Sequence, residues 1–343
     1  MSRSNRNSQK RTVELMSNIP TIIGTGFSVP ETVWDNHKLE ELVETSDEWI
    51  KTRTGIATRR IAGEGESAAT LGADAARAAL ENAGIDALDI DIIIVATMTP
   101  EMPFPSTACF VQHLIGAKNA AAFDLSAACT GFVYALSVGS SMVASGAAKN
   151  VLVIGAETLS RVVDWTDRNT CVLFGDGAGA AVVSNGGKGG KILDTIIKAD
   201  GSNTDLLYMP AGGSKLPASE ETVKNGLHFL KMTDKGLFRE ATTSMADITK
   251  EILNKNGLEV ADMDLLIAHQ ANLRIILSTA KRLGVSPEKA YVNIQKYGNT
   301  SAATIPIAMS EAIADNTIKD GNTVVLVGFG SGMTWGASLV RFE

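Results

Sequence analysis

The sequence predicts a layered α/β protein built from two similar halves, and three observations carry that reading. Short apolar runs recur along the chain, helical patterns separate several of them, and landmark residues return at one fixed distance. The runs are TIIGTG at 21–26, DIIIVATM at 91–98, AAFDLS at 121–126, VLVIGAE at 151–157, GAAVV at 179–183, DLLIAHQ at 264–270, AYVNI at 290–294 and TVVLVGFG at 323–330. Their apolar residues continue without alternation, which marks strands covered on both faces. Between them lie stretches such as AATLGADAARAALENAG, whose apolar positions follow helical spacing. Strands alternating with helices predict layers with largely parallel sheets.

The repeat is long. ENAGIDALDIDIIIVAT and NKNGLEVADMDLLIAHQ align with Gly84 over Gly257 and Asp91 over Asp264, and VLVIG from Val151 falls over VVLVG from Val324; each pair is 173 residues apart. One shared offset at three landmarks predicts two homologous half-domains rather than a solenoid. We place the halves at 18–190 and 191–343, with NGGKGG at 185–190 as the hinge. A pseudo-twofold arrangement would turn strand ends of both halves toward one central site, where ligands of α/β sheets bind. Residues 200–235, rich in Gly, Pro and polar side chains, read as a loop excursion over that site.

Composition narrows the function classes. With 45% apolar and 20% charged residues, the 343-residue chain is globular. A formal net charge of −7 argues against a nucleic-acid binder, which needs a basic face. Cys109, Cys129 and Cys171 form no CxxC pair and no metal-ligand spacing with the four histidines, so neither disulfides nor a metal site is expected. The start, MSRSNRNSQKRTVELMSNIP, is polar and basic without an apolar core. We read residues 1–17 as a disordered leader, with Met16 as an alternative start. No stretch reaches the roughly 18 apolar residues a membrane helix requires, and a cytoplasmic protein is expected.

Three residues stand in settings that suit chemistry. An unpaired cysteine is by default a small core residue. Cys129, however, follows the strand AAFDL and opens the helical pattern TGFVYALSVGSSMVASG, which puts its sulfur at a helix N-terminus, where thiolate is favoured. His269 ends the buried run DLLIA, while the corresponding run of the first half ends VATMTP with no histidine. Asn299, in YGNTSAATIPIAM, occupies a strand-to-helix junction similar to that of Cys129, although by default such an asparagine is a turn or cap. GFGSGMTWGA at 328–337 could offer a nest of N–H groups. Neither it nor GDGAGA at 175–180 has the pattern of a nucleotide-phosphate loop. Cys109, Cys171, His37, His113 and His228 lack any such setting.

Together SAACTGFVYAL, FGDGAGAAVV, HQANLRII, YGNTSAATIPIA and TSDEWIKTRTGI, in this order and spacing, resemble β-ketoacyl-acyl-carrier-protein synthase III, an initiating condensing enzyme of the thiolase superfamily. The resemblance implies a five-layer α-β-α-β-α fold and a triad of Cys129, His269 and Asn299. It implies that Cys129 takes an acyl group from a short acyl-CoA, and that the carbanion from decarboxylating malonyl-acyl carrier protein attacks the thioester. Acyl-CoA enters as substrate; no permanently bound cofactor and no metal are implied. Asn299 marks the CoA-primed type, since elongating synthases carry a second histidine in this role and degradative thiolases a second cysteine.

Further roles are implied residue by residue. Trp49 and Arg168 resemble the pair that stacks on the CoA adenine, Arg53 the residue facing its phosphates, and Phe238 a segment lining the pantetheine tunnel. Phe104 resembles the residue that lines the partner's acyl pocket across a homodimer. Gln270, Ala271, Asn272, Leu273 and Arg274, with Lys281 and Arg282 on the same helix face, resemble a docking site for the acidic carrier protein. Thr130, Asn169 and Ser331 depart from the family pattern, Ser331 interrupting a commoner Gly-Gly-Gly. Two other readings remain: a related acyltransferase of secondary metabolism, of polyketide or quinolone type, and a Cys-His-Asn thioester hydrolase, which the duplication disfavours.

Overall fold

The computed structural model describes residues 18–233 and 236–343. The leader expected over 1–17 lies outside the described residues. Nine strands form one sheet: β1 (Pro20–Ser28), β2 (Ile92–Ala96), β3 (Ala121–Leu125), β4 (Asn150–Thr158), β5 (Asp176–Asn185), β6 (Gly190–Ala199), β7 (Leu265–Ala268), β8 (Thr323–Gly330) and β9 (Thr334–Phe342). Their order is β7-β8-β9-β6-β1-β5-β4-β2-β3. The two half-sheets meet only where Thr21 pairs with Lys191 and Ile22 with Gly190. The described helices of eight or more residues are α1 (Asp47–Thr54), α2 (Ala68–Ala83), α3 (Thr107–Ile115), α4 (Gly131–Ala144), α5 (Leu237–Lys255), α6 (Leu273–Leu283) and α7 (Thr304–Ala314).

The layers follow from which side chains each strand turns each way. Ile93 and Val95 of β2 join a core under α2 and α3, whereas Ile94 and Ala96 point into a second core around α4 and α7. In the other half-sheet Leu265 and Ile267 share that second core, while Leu266 and Ala268 join a third under α5 and α6. Three helix layers therefore enclose two sheet layers, and the expected five-layer architecture is what the chain adopts. The sequences of α4 and α7, GFVYALSVGSSMVA and TIPIAMSEAIA, are apolar nearly all round because both helices lie in the middle layer.

The expectation of largely parallel sheets is corrected. Of the eight neighbouring pairs, only β7–β8, β2–β3 and β2–β4 are parallel; the other five are antiparallel. Unbroken apolar runs report burial on both faces, which the helix layers impose whatever the strand direction. AYVNI at 290–294 is not a strand; it forms a single bridge, Leu266 to Ala290, and then enters the short helix Ile294–Tyr297. Strands β6 and β9 carry polar residues among apolar ones, and the sequence reading missed both.

The repeat is visible in the backbone. Ala128 and Ser301, 173 positions apart, have φ of +48° and +49°, and each opens a 3-10 turn that leads into α4 or α7. The junctions thus correspond without the small gap their sequences suggested, and the counterpart of Cys129 is Ala302. The offset drops to 168 between Gly116 and Gly284, which end α3 and α6. The first half therefore has five extra residues before α3, in the loop with Phe104. The second half regains five before Ser301, in the segment with Asn299.

At Gly155, in β4, the turn of the other half approaches so closely that an added Cβ would lie 2.3 Å from the Ala302 carbonyl oxygen. Gly155→Ala is therefore expected to cost about 1–3 kcal/mol in urea unfolding, as for other overpacked cores. An unchanged midpoint would mean that the two halves yield freely at this contact.

Candidate active site

Strand β3 ends at Leu125, and the chain turns through Ala127 and Ala128 to present Cys129 at the head of α4. The positive φ of Ala128 is a strained conformation for a residue with a Cβ, of the kind found at functional turns. No side chain caps the N-terminus of α4. The turn's own carbonyls cap it instead, Thr130 N–H donating to Ala127 at 3.2 Å and Gly131 N–H to Ala128, so what favours negative charge at the sulfur is the dipole of α4. The end of β8 lies against this turn: a Cβ on Gly330 would sit 2.8 Å from the Cys129 nitrogen. The Ser331 N–H that follows donates to no described carbonyl.

His269 follows β7, where its N–H donates to the Val327 carbonyl at 2.8 Å. Its Nδ1 lies 2.6 Å from the Thr304 hydroxyl, which is itself 3.0 Å from the Ser301 carbonyl. Asn299 is anchored through its backbone: its N–H donates to Leu173 at 2.9 Å, and its carbonyl accepts from Gly175 at 3.1 Å. That bridge explains the glycine of FGDG, since a Cβ on Gly175 would lie 2.3 Å from the Tyr297 carbonyl oxygen. The Asn299 Oδ1 accepts from the Ser301 N–H at 2.8 Å, and the amide orientation this fixes leaves Nδ2 with no described acceptor. Cys129, His269 and Asn299 line one cavity of about 420 Å³.

Burial of the side chains sets the protonation of the site. Burial pushes the Cys129 thiol up to about 12, and the charge of Glu157 adds to this, while the facing Ser301 hydroxyl opposes it. Burial therefore opposes the preference for thiolate that a helix terminus confers. Burial likewise holds the His269 imidazole down at about 3, so it is neutral across the physiological range. Glu157, buried at the end of β4, is pushed up to about 7 by burial despite its donors. It accepts from the Thr99 hydroxyl at 2.6 Å and from the Met98 and Thr99 N–H groups, both at 3.1 Å.

Other expected residues fall into two groups. Arg53, Phe238, Ala271, Asn272 and Arg274 line the same cavity as Cys129, His269 and Asn299. Beside Arg53, the Arg168 guanidinium lies 5.0 Å and that of Arg53 5.8 Å from the centre of the Trp49 ring. The Arg274 guanidinium lies 5.6 Å from the Phe238 ring, and Lys281 and Arg282 are exposed farther along α6. Leu273 packs on Gly55, the αL residue that ends α1. Asn169 is exposed beside Arg168. Phe104 stands apart from the cavity and is 84% exposed.

Gln270 is a correction. It is only 1% exposed, and its amide is engaged with the Ala268 and Tyr291 carbonyls and the Asn293 N–H. A partner protein cannot touch it; it holds the end of β7 to the segment that leads to Asn299. Sequence reasoning missed Ser301, Thr304 and Glu157. Glu157 carried the same signal as His269, a polar residue ending a buried strand.

Comparison with known proteins agrees with the geometry. A family model described as 3-oxoacyl-[acyl-carrier-protein] synthase III matches residues 123–201, and its C-terminal counterpart matches 253–342. The chain is 53% identical to a β-ketoacyl-[acyl-carrier-protein] synthase III of Natranaerobius thermophilus, over 94% of this chain and 98% of that one. It is 52% identical to a protein of the same name from Clostridioides difficile, over 94% and 98%. The crystal structure of 3-oxoacyl-[acyl-carrier-protein] synthase III from Aquifex aeolicus superposes with a TM-score of 0.87 at 48% identity, covering 94% of this chain and all of that one. A priming β-ketosynthase from the R1128 polyketide pathway superposes with the same TM-score at 34% identity, covering 95% and 97%.

Two predictions follow from the electrostatics. In NMR of histidine-labelled protein, the His269 ring signals are expected to stay constant from pH 5 to 8, and a transition near pH 6.5 would contradict the burial argument. Glu157→Gln removes a charge beside the sulfur, so the pH profile of Cys129 alkylation by iodoacetamide is expected to move to lower pH. An unmoved profile would show carboxyl and thiol to be uncoupled.

Proposed function

The chain belongs to the 3-oxoacyl-[acyl-carrier-protein] synthase III family of condensing acyltransferases, and from that premise we propose how its own residues initiate fatty acid synthesis. The observation that carries the proposal is the convergence of Cys129, His269 and Asn299 on one cavity whose wall also includes the exposed cations Arg53 and Arg274.

In the first half-reaction the Cys129 sulfur attacks the carbonyl of a short acyl-CoA. The acyl–sulfur bond to CoA breaks, and the thiol proton passes by way of His269 Nε2 to the departing CoA sulfur. The oxyanion is met by the N–H groups of Cys129 and Ser331. In the second, malonyl-acyl carrier protein loses carbon dioxide. His269 Nε2–H and Asn299 Nδ2–H hold the enolate oxygen, its carbon attacks the acyl-Cys129 thioester, and the Cys129 thiolate leaves and takes up a proton. The products are 3-oxoacyl-carrier protein, CoA and carbon dioxide. No bound cofactor enters this balance.

His269 accepts a proton in one half-reaction and donates a hydrogen bond in the other, and the Thr304 hydroxyl supports both. When it donates to the Ser301 carbonyl, it accepts from Nδ1–H, and Nε2 carries a lone pair. When it turns its proton to Nδ1, Nε2 carries the hydrogen. A neutral imidazole is suited to this exchange, because an imidazolium would have no lone pair for the thiol proton.

Trp49, flanked by two guanidinium groups, offers a surface for an adenine, and Arg53 offers charge for its phosphates. Arg274, Lys281 and Arg282 give an otherwise acidic protein a basic face for an acidic carrier protein. For the homodimer, β3 ends the sheet as an edge strand beside the loop that exposes Phe104. A cytoplasmic setting suits a chemistry that needs a reduced Cys129. The similarity to a polyketide priming enzyme favours a second reading, in which the condensation primes secondary metabolism.

Cys129→Ser is expected to abolish the acyl-enzyme seen by mass spectrometry after acetyl-CoA treatment. Asn299→Ala should slow malonyl decarboxylation about 10²–10³-fold, the usual effect of losing one such donor, while leaving acylation largely intact. Equal loss in both half-reactions would refute the assigned role. Reversing Arg274 to Glu should raise KM for the carrier-protein substrate more than for acyl-CoA, and the difference should shrink in high salt. An unchanged ratio would move the docking face elsewhere.

A further inference from the structure

A second cavity of about 100 Å³ opens beside Cys129, with Met98, Leu159, Val162, Tyr208, Met209 and Leu230 in its wall. It shares Cys129, Phe174, Leu207 and Ser331 with the larger cavity. Ser331 and Leu207 are joined directly, because the Ser331 hydroxyl donates to the Leu207 carbonyl. Leu207–Tyr208 is in turn paired with Lys231–Met232, so this bond fastens a small two-stranded roof to the loop that follows β8.

We propose that Ser331 is a specificity-determining residue, whose hydroxyl latches the Leu207–Met209 roof over the acyl cavity and thereby limits the length of the primer. This rests on the assignment of Cys129 as the acyl carrier. The latched space is about a quarter of the larger cavity, about 100 Å³ against about 420 Å³, which suits a primer of a few carbons. A longer chain must displace the roof, and the roof is thin: Tyr208 and Met209 are 41% and 47% exposed and have little on their outer side to hold them. The latch is built on a braced base. The Ser331 carbonyl lies 3.3 Å from the Thr334 hydroxyl, which is 3.1 Å from the Thr130 hydroxyl, and Thr130 donates to the Thr334 carbonyl at 3.0 Å. Two of the residues that depart from the family pattern, Thr130 and Ser331, therefore belong to one connected set. It ties the nucleophile's turn to the roof of its acyl cavity.

The test compares full-length wild-type protein, Ser331→Ala, Ser331→Gly and Ser331→Thr in acylation by acetyl-, butanoyl-, hexanoyl- and octanoyl-CoA, followed by CoA release. Losing one neutral hydrogen bond should raise the hexanoyl-to-acetyl ratio of kcat/KM roughly three- to tenfold in the Ala and Gly variants. Thr, which keeps the hydroxyl, should restore the wild-type ratio. Limited proteolysis within 200–216 should quicken in the same two variants. If all acyl-CoAs slow equally with the ratio unchanged, Ser331 acts only on the oxyanion and the proposal falls. If the wild-type protein accepts no acyl group at all, the condensing reading itself fails. Should Ser331→Gly unfold, the Ala and Thr pair decides alone.

Discussion

Two turns of backbone approach the pseudo-twofold axis so closely that no side chain fits between each turn and the strand it packs on. The turn at Ser301–Ala303 lies on Gly155 of β4, and the turn at Ala128–Thr130 lies on Gly330 of β8. Each half thus supplies the strand against which the other half's turn rests, and neither turn is complete alone. The positive φ at Ala128 and Ser301 is tolerated because packing from both sides over-determines it. The placement of Cys129 and the aim of the Asn299 amide both depend on this mutual contact.

The same contact buries the side chains around it, and their protonation follows from that. Both the sulfur and the imidazole are driven to their neutral forms, the thiol to about 12 and His269 to about 3. In the proposed reaction such a site applies its fixed dipoles to charge as it appears on the sulfur, where low dielectric makes them strongest. The charge of Glu157 is felt at the sulfur, and the donors from Met98 and Thr99, just beyond the neighbouring strand β2, offset only part of the cost of burying that charge.

The duplication, the layers and the residues that meet in the cavity, Cys129, His269 and Asn299, were legible because each rests on a pattern that survives in one dimension. The 173-residue offset fixed the correspondence of halves, and a polar residue ending an apolar run marked His269. Strand direction left no such trace, because a run covered on both faces reads the same way up or down. Gln270 was misjudged for a related reason: it adjoins exposed Arg274 in the chain, but the strand end turns its side chain inward. Ser301 and Thr304 were passed over because their roles are to orient other groups, and their partners lie across a turn or on another strand.

The duplication also gives the chain an internal reference. Ala302 occupies in the second half the place that Cys129 occupies in the first, on a turn of the same shape. It shows what that position requires when no chemistry is asked of it, namely a small side chain and nothing more. The two turns are therefore equipped differently: one presents a sulfur, and the other follows five additional residues that carry an amide lining the same cavity. A dimer of two identical halves could not have divided the work in this way, since each improvement would have appeared twice. A single polypeptide allows the two turns to differ while the contact that joins them keeps one geometry.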